Sequence, residues 1–220
     1  MSEEDEPTTY LGYKGYSIKK KYFSVEEQRL LRKELMVKPF VPKSSPVQPE
    51  PFPVYRESNK KIYVPRYYGT EMYGPPDAIE IDEGENILIN FKGSLREKQK
   101  PIVEKYLKYV KNNGGGCLAL HTGFGKTCLA LYIIAALKKK TIIIVHKEFL
   151  LRQWIERIEQ FLPDAKVGKI QAKTIDVEDK DIVICMLQSL SMKEYNKELF
   201  KGYGLTIVDE CHHISAEVFS

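Results

Sequence analysis

The run His121-Thr122-Gly123-Phe124-Gly125-Lys126-Thr127-Cys128 has the residue types needed to hold a polyphosphate. Clustered negative phosphates need many donors aimed at one point. A glycine turn that opens a helix supplies them, because backbone N–H groups come close where no Cβ intervenes and the helix N-terminus adds positive potential. Gly123 and Gly125 permit the turn, Lys126 suits the β- and γ-phosphate oxygens, and Thr127 offers a hydroxyl to Mg2+. The full Walker pattern has a glycine where this chain has Leu120. The reading therefore rests on the setting, a strand ending at residue 120 and a helix opening at 126. A glycine turn that merely joins two elements is the plain alternative, and it leaves the Lys126-Thr127 pair without a purpose.

Further along, Leu205-Thr206-Ile207-Val208 reads as a buried strand that ends on Asp209 and Glu210, followed by Cys211, His212 and His213. Paired acids at the end of a buried strand are costly unless something offsets them, and a magnesium ion does so. Asp209 suits the metal shell, and Glu210 suits orienting or deprotonating an attacking water. On its own an Asp-Glu pair is usually a surface turn; the glycine loop upstream changes that weighting. Lys126, Asp209 and Glu210 are thus the candidate catalytic groups, with Thr127 and Asp209 as the Mg2+ ligands and a nucleoside triphosphate as the implied ligand.

Elements must carry these groups to one place. From residue 94 the pattern alternates short apolar runs with helical stretches. Strands are expected at Cys117–Leu120, Thr141–Val145, near Val167–Ile170, at Asp181–Met186 and at Leu205–Val208. Helices are expected over residues 94–111, 126–137, 148–161 and 192–200. The first has capping-box form, Ser94-Leu95-Arg96-Glu97, with Pro101 loosening its early turns. Continuous apolar strands between helices imply an α/β fold with a parallel sheet covered on both faces, and ligands outside its carboxyl edge.

The motifs taken together resemble those of superfamily 2 helicases in the DExH branch. Gly-x-Gly-Lys-Thr matches motif I, and Asp209-Glu210-Cys211-His212 matches motif II. Leu95-Arg96-Glu97-Lys98-Gln99 is similar to the segment before motif I whose glutamine reads adenine, a role that would fall to Gln99. An exposed helix residue is the alternative there. Val145-His146-Lys147 with Leu151-x-x-Trp154 is similar to motif Ia, and Leu187-Gln188-Ser189-Leu190 to a later strand-end motif. By that resemblance His146, Lys147, Gln188 and Ser189 would touch a nucleic-acid strand; a solvated strand end is the equal alternative for His146 and Lys147. Trp154 reads as helix-to-sheet packing ahead of a base platform. The set is similar to the xeroderma pigmentosum B and UvsW-like group and to helicases of large DNA viruses. It implies a RecA-like P-loop domain over residues 93–220, preceded by a small α+β accessory region. It also implies ATP hydrolysis coupled to movement on nucleic acid, DNA ahead of RNA. Such helicases continue with a second RecA-like domain that carries an arginine finger worth roughly 10³ to 10⁵ in rate. The chain thus reads as the front half of a motor, inactive or very weak alone.

Residues 1–9 are acidic and read as a disordered tail without a secretory pattern, which points to an intracellular protein. Residues 10–92 hold the accessory region. A strand is expected near Tyr16–Tyr22, then a helix opened by the capping box Ser24-Val25-Glu26-Glu27, a proline-rich linker over residues 39–53, a hairpin from Val54 to Val64, and a strand at Ile87–Phe91. Residues 11 to 70 carry 13 Lys/Arg against 5 Asp/Glu, interleaved with many of the tyrosines. That pattern fits a nucleic-acid backbone and stacked bases, and equally a Tyr-rich domain with a solvated basic face. A non-catalytic nucleic-acid-binding module and a restriction- or remodelling-type translocase are the rival functions. The widely spaced cysteines Cys117, Cys128, Cys185 and Cys211 read as small buried hydrophobes, with no disulfide or zinc implied.

Overall fold

The computed structural model describes residues 7–38 and 49–213, which form two compact units divided between Ile81 and Asp82. The first unit begins with strands β1 (Thr9–Gly12) and β2 (Gly15–Lys19), an antiparallel hairpin. Helix α1 (Val25–Glu34) follows, and its capping box is complete: the Ser24 hydroxyl accepts from the Glu27 amide while the Glu27 carboxylate accepts from the Ser24 amide. Short strands β3 (Met36–Val37) and β4 (Phe52–Pro53) pair with each other. Strands β5 (Arg56–Glu57) and β6 (Lys61–Val64) make the expected hairpin, and β6 pairs with β2. Helix α2 (Arg66–Tyr73) and strand β7 (Ala78–Ile79) complete the unit, with β7 parallel to β1. Tyr16, Ile18, Leu31, Leu35, Ile62 and Val64 make its core.

Two expectations change here. Residue 9 begins β1 rather than ending a disordered tail. The linker lies mostly outside the described residues, and its last part, Phe52–Pro53, is a strand. The basic and aromatic residues are also used internally: Lys14, Lys21 and Lys61 sit over the rings of Tyr63, Tyr22 and Tyr10 at 5.0, 5.2 and 4.6 Å.

The second unit opens with an irregular segment and helix α3 (Lys100–Asn113), then α4 (Lys126–Leu137), β8 (Thr141–Val145), α5 (Glu148–Phe161), β9 (Val167–Gln171), β10 (Thr174–Asp176), β11 (Ile182–Met186), α6 (Leu187–Ser191) and β12 (Leu205–Val208). The sheet runs β10-β9-β11-β8-β12, parallel except for the β10–β9 hairpin. Alternate residues of one strand serve opposite faces. Ile143 and Val145 point to the face that buries Leu131, Ile134, Trp154 and Ile158, while Ile142 and its neighbours Val183, Cys185 and Ile170 fill the other. This is the expected α/β architecture with a mainly parallel sheet.

Several boundaries move, each for a physical reason. The helix expected from Ser94 starts at Lys100. Pro101 lacks an N–H and would clash with the carbonyl four residues back in a helix already under way, so the helix begins where Pro101 falls in the first turn. Cys117–Leu120 joins no strand; Leu118 and Leu120 instead pack beside Leu129 and Ile133. Three glycines precede that run and weaken any ladder there. Ile87 and Ile89 are buried while Leu88 is 92% exposed, which is the alternation of a strand, yet the segment makes only an isolated bridge from Asn86 to Lys139. Residues 82–92, counted above with the accessory region, pack in the second unit. The helix expected over 192–200 is replaced by α6 and a 3-10 turn at Lys197–Phe200, where the Asn196 side chain accepts from the Glu198 amide. The sequence also reads as opening a helix at Ser215, a position outside the described residues.

Two measurements test this packing. Ile158 is fully buried against the sheet. Ile158→Ala should lower the stability of the second unit by about 2–5 kcal/mol, read from urea unfolding followed by the emission of Trp154, the only tryptophan. In the first unit, hydrogen bonds from Arg32 and then Lys20 hold the Glu57 carboxyl down to about 2. A carboxylate depressed on folding stabilises above its unfolded value of 4.5, and that contribution fades as pH falls towards about 2. Glu57→Gln should therefore lower the melting temperature at neutral pH and flatten its fall between about pH 4.5 and 2.

Candidate functional site

The glycine loop runs from His121 to Gly125 and delivers Lys126 as the first residue of α4. Gly123 and Gly125 have φ of +79° and +94°, a region that L side chains avoid. At Gly125 space is also closed: a Cβ would lie 2.7 Å from the Gln99 amide nitrogen and 2.9 Å from the Arg96 guanidinium. Those two side chains hold the loop from outside. Gln99 Nε2 donates to the Phe124 carbonyl at 2.9 Å, the Arg96 guanidinium donates to the same oxygen, and Gln99 Oε1 accepts from the Arg96 amide at 2.9 Å. Gln99 is 2% exposed, so it is no surface helix residue; both ends of its amide are engaged in fixing the loop. The His121 ring packs edge-on against Phe124, and Thr122 and Gly123 are exposed at the tip.

The acidic end of β12 arrives beside this loop. Strand pairing with β8 continues one residue past Val208, because the Asp209 amide donates to the Ile144 carbonyl at 3.0 Å. The chain then leaves the sheet at Glu210, whose φ of +51° is a left-handed conformation of the kind that costs non-glycine residues about 1–2 kcal/mol. The turn brings Glu210 Oε1 to 3.4 Å from Lys126 Nζ, and Glu210 Oε2 to 3.5 Å from His212 Nδ1. Asp209 Oδ2 accepts the indole N–H of Trp154 at 2.9 Å. Lys126 and Glu210, 84 residues apart in sequence, therefore meet at one corner of the fold, and Asp209 precedes Glu210 in the same turn. Lys126 and Glu210 are each 37% exposed, open enough for a ligand to reach. Thr127 and Cys128 follow in the first turn of α4, both half-buried.

Among the described residues no three His, Cys, Asp or Glu side chains gather to hold a metal. A magnesium ion here would have to share its shell with phosphate oxygens. The donors present fit that demand: one carboxylate, one hydroxyl and a flanking carboxylate, all hard oxygens.

The remaining candidates lie along the same carboxyl edge. His146 follows β8 and Gln188 follows β11, and the two meet: Gln188 Nε2 donates to the His146 carbonyl at 2.8 Å. Ser189 is tied inward, its hydroxyl accepting from the Ala172 amide at 2.9 Å and its carbonyl accepting from Tyr195 at 3.0 Å. Lys147 is exposed, with its ammonium 5.9 Å from the exposed ring of Phe149.

Sequence reasoning missed two residues. Arg96 sits inside the quoted Leu95–Gln99 segment, but no spacing marks its guanidinium as a loop clamp. Trp154 reads as packing ahead of a base platform; its bond to Asp209 spans 55 residues and has no local signature. The cysteines also differ from expectation. Cys185 is buried, and burial pushes its thiol up to about 12, whereas Cys117 and Cys211 are exposed. Partial loss of solvent around its sulfur first, and then charge repulsion from Cys211, raise the Cys117 thiol.

Comparison with known proteins follows the same outline. Residues 92–220 match the family model ResIII, described as type III restriction enzyme, res subunit. A protein of Acanthamoeba polyphaga mimivirus named "Putative ATP-dependent RNA helicase L396" is 36% identical over 213 residues, covering 94% of this chain and 40% of that protein. The DNA 3'-5' translocase XPB2 of Sulfurisphaera tokodaii is 34% identical over 148 residues, covering 64% of this chain and 32% of that protein. The SWI2/SNF2 ATPase core of Sulfolobus solfataricus in complex with dsDNA superposes with a TM-score of 0.49 at 21% identity, covering 63% of this chain and 31% of that one. The chain thus spans less than half the length of each of these relatives. Among the described residues no helix is long and apolar enough to cross a membrane. With the family model covering more than half of its residues, the chain belongs to the type III restriction enzyme res subunit family, within the superfamily 2 helicases.

Proposed function

We propose that this chain binds Mg-ATP at the Lys126–Glu210 corner and is the nucleotide-binding part of an ATP-driven motor on nucleic acid. The observation that carries the reading is the 3.4 Å approach of Lys126 Nζ to Glu210 Oε1, at the head of a glycine loop and a helix N-terminus. An exposed ion pair of this kind contributes little to stability, about 0–1 kcal/mol, so folding alone gives weak cause to place it there. Binding a polyphosphate gives a strong one. The Lys126 ammonium and the N–H groups at the start of α4 would meet phosphate oxygens, and Thr127 and Asp209 would hold the magnesium. The ion would neutralise phosphate charge. Glu210, directed into the corner by its left-handed backbone, would orient the attacking water and take its proton. Gln99 and Arg96 would keep the loop carbonyl of Phe124 turned away from the anion, leaving donors on the phosphate side. An adenine contact by Gln99 would use the second hydrogen of its amide.

Movement on nucleic acid is drawn from the relatives' names, one an RNA helicase and one a DNA translocase. His146, Lys147, Gln188 and Ser189 are the proposed strand contacts. The substrate class is a nucleic-acid strand, with DNA preferred on the motif resemblance alone. For the rival reading, binding by the basic front unit, three of the 13 basic residues over positions 11–70 lie over tyrosine rings within that unit.

Two substitutions separate binding from chemistry. Lys126→Ala removes a charge-assisted contact worth about 1.5–3 kcal/mol and should weaken Mg-ATP binding roughly 10- to 100-fold by titration calorimetry. Wild-type affinity in that variant would refute the site. Glu210→Gln should retain ATP binding within about twofold and lower single-turnover phosphate release by roughly 10²- to 10⁴-fold, the usual worth of a general base.

A further inference from the structure

We infer that Trp154 is a positioning residue: its indole N–H fixes the Asp209 carboxylate in the orientation that receives the metal ion. The inference rests on the Mg-ATP reading above and adds to it a residue on a different element.

The geometry is specific. Trp154 projects from α5 into the core and is 2% exposed, packed with Leu151, Ile158 and Val145. An indole nitrogen is a donor only and cannot be left unpaired in such surroundings without cost. Its acceptor is Asp209 Oδ2 at 2.9 Å. Asp209 is thus held at both ends, its amide on the Ile144 carbonyl and its carboxylate on the indole. A carboxylate pinned by one oxygen presents the other, Oδ1, in a set direction. The indole donor also offsets part of the repulsion between two acids adjacent in sequence. Packing alone explains why an aromatic ring lies under the sheet. It does not explain why the ring is the one with a donor, nor why that donor meets the acid at the strand end. The same logic governs metal ligands elsewhere, where loss of the hydrogen-bond partner of a ligand lowers metal affinity by roughly 10- to 100-fold.

Trp154 is the chain's only tryptophan, which gives a direct readout and a clean substitution. The 220-residue chain is prepared in wild-type form, as Trp154→Phe, and with tryptophan replaced biosynthetically by benzothienylalanine, which puts sulfur in place of the N–H and keeps the ring shape. Calorimetry then follows ATP binding at a series of Mg2+ concentrations. The benzothienylalanine protein should bind ATP without Mg2+ as wild type does, yet need roughly tenfold more Mg2+ to reach half of its Mg2+-dependent gain in affinity. Trp154→Phe should shift the same way. In wild type, adding Mg2+ to the ATP complex should change the indole emission, and Asp209→Asn should abolish that change. Combining Asp209→Asn with the tryptophan replacement should add no further loss. An unshifted Mg2+ dependence in the benzothienylalanine protein would overturn the inference and leave the nucleotide site standing, as would additive losses in the combined variant. Failure of the wild-type chain to bind ATP at any Mg2+ concentration would overturn both.

Discussion

The structure turns on the approach of one ammonium group to the end of one strand. Lys126 heads α4 and Glu210 lies in the turn after β12, and they meet at 3.4 Å across a corner that neither element builds alone. Each is 37% exposed, so solvent screens the pair and its direct contribution to folding is small. Its importance is positional. The corner exists only if β12 pairs with β8 in register, Val208 opposite Ile144, and only if the loop ahead of α4 turns tightly enough to place Lys126 first in the helix. The buried β8–β11 pairing and the packing of α4 and α5 on the sheet supply the stiffness that holds those two conditions together.

Backbone conformation, more than side-chain identity, then sets the site. Gly123 and Gly125 occupy left-handed φ where glycine is the natural residue. Glu210 occupies the same region with a side chain, at φ +51°, and so carries strain that a turn made only for connection would have shed by using glycine. Strain at a residue is affordable where the surroundings over-determine it. Here they do: the preceding amide is locked on Ile144, and the carboxylate is flanked by Lys126 and His212.

Local chemistry was legible in the sequence where a signal needed only its neighbours. The Ser24 box, the opening of α4 after Gly125, β8, α5 and β12 all follow from spacing within a dozen residues. The second capping-box pattern, at Ser94, misled because Pro101 overrides it: the same four-residue signature does not open a helix when a proline would fall inside the next turn. Cys117–Leu120 misled because apolar composition reports burial rather than pairing, and a strand needs a ladder partner that composition cannot name. Strand β7, two residues after a Pro-Pro step, owes its existence to parallel pairing with β1 far away in sequence. Arg96 on the Phe124 carbonyl and Trp154 on Asp209 were hidden for the same reason: a contact made across the fold leaves no periodicity behind.

Strand order also arranges the proposed work along one edge. Asp209, His146 and Gln188 lie just past the carboxyl ends of neighbours β12, β8 and β11, so the corner proposed for the nucleotide and the proposed strand contacts sit on adjacent rows of a single sheet. The Gln188–His146 bond ties the second and third rows together, and the Asp209–Ile144 bond ties the first to the second. Asp209 is thus joined to the strand that leads to His146 by a backbone hydrogen bond. Parallel strands suit that arrangement, because their carboxyl ends emerge on the same side. In a motor the nucleotide and the track must feel each other, and this sheet places the groups proposed for the two tasks one hydrogen-bonded strand apart.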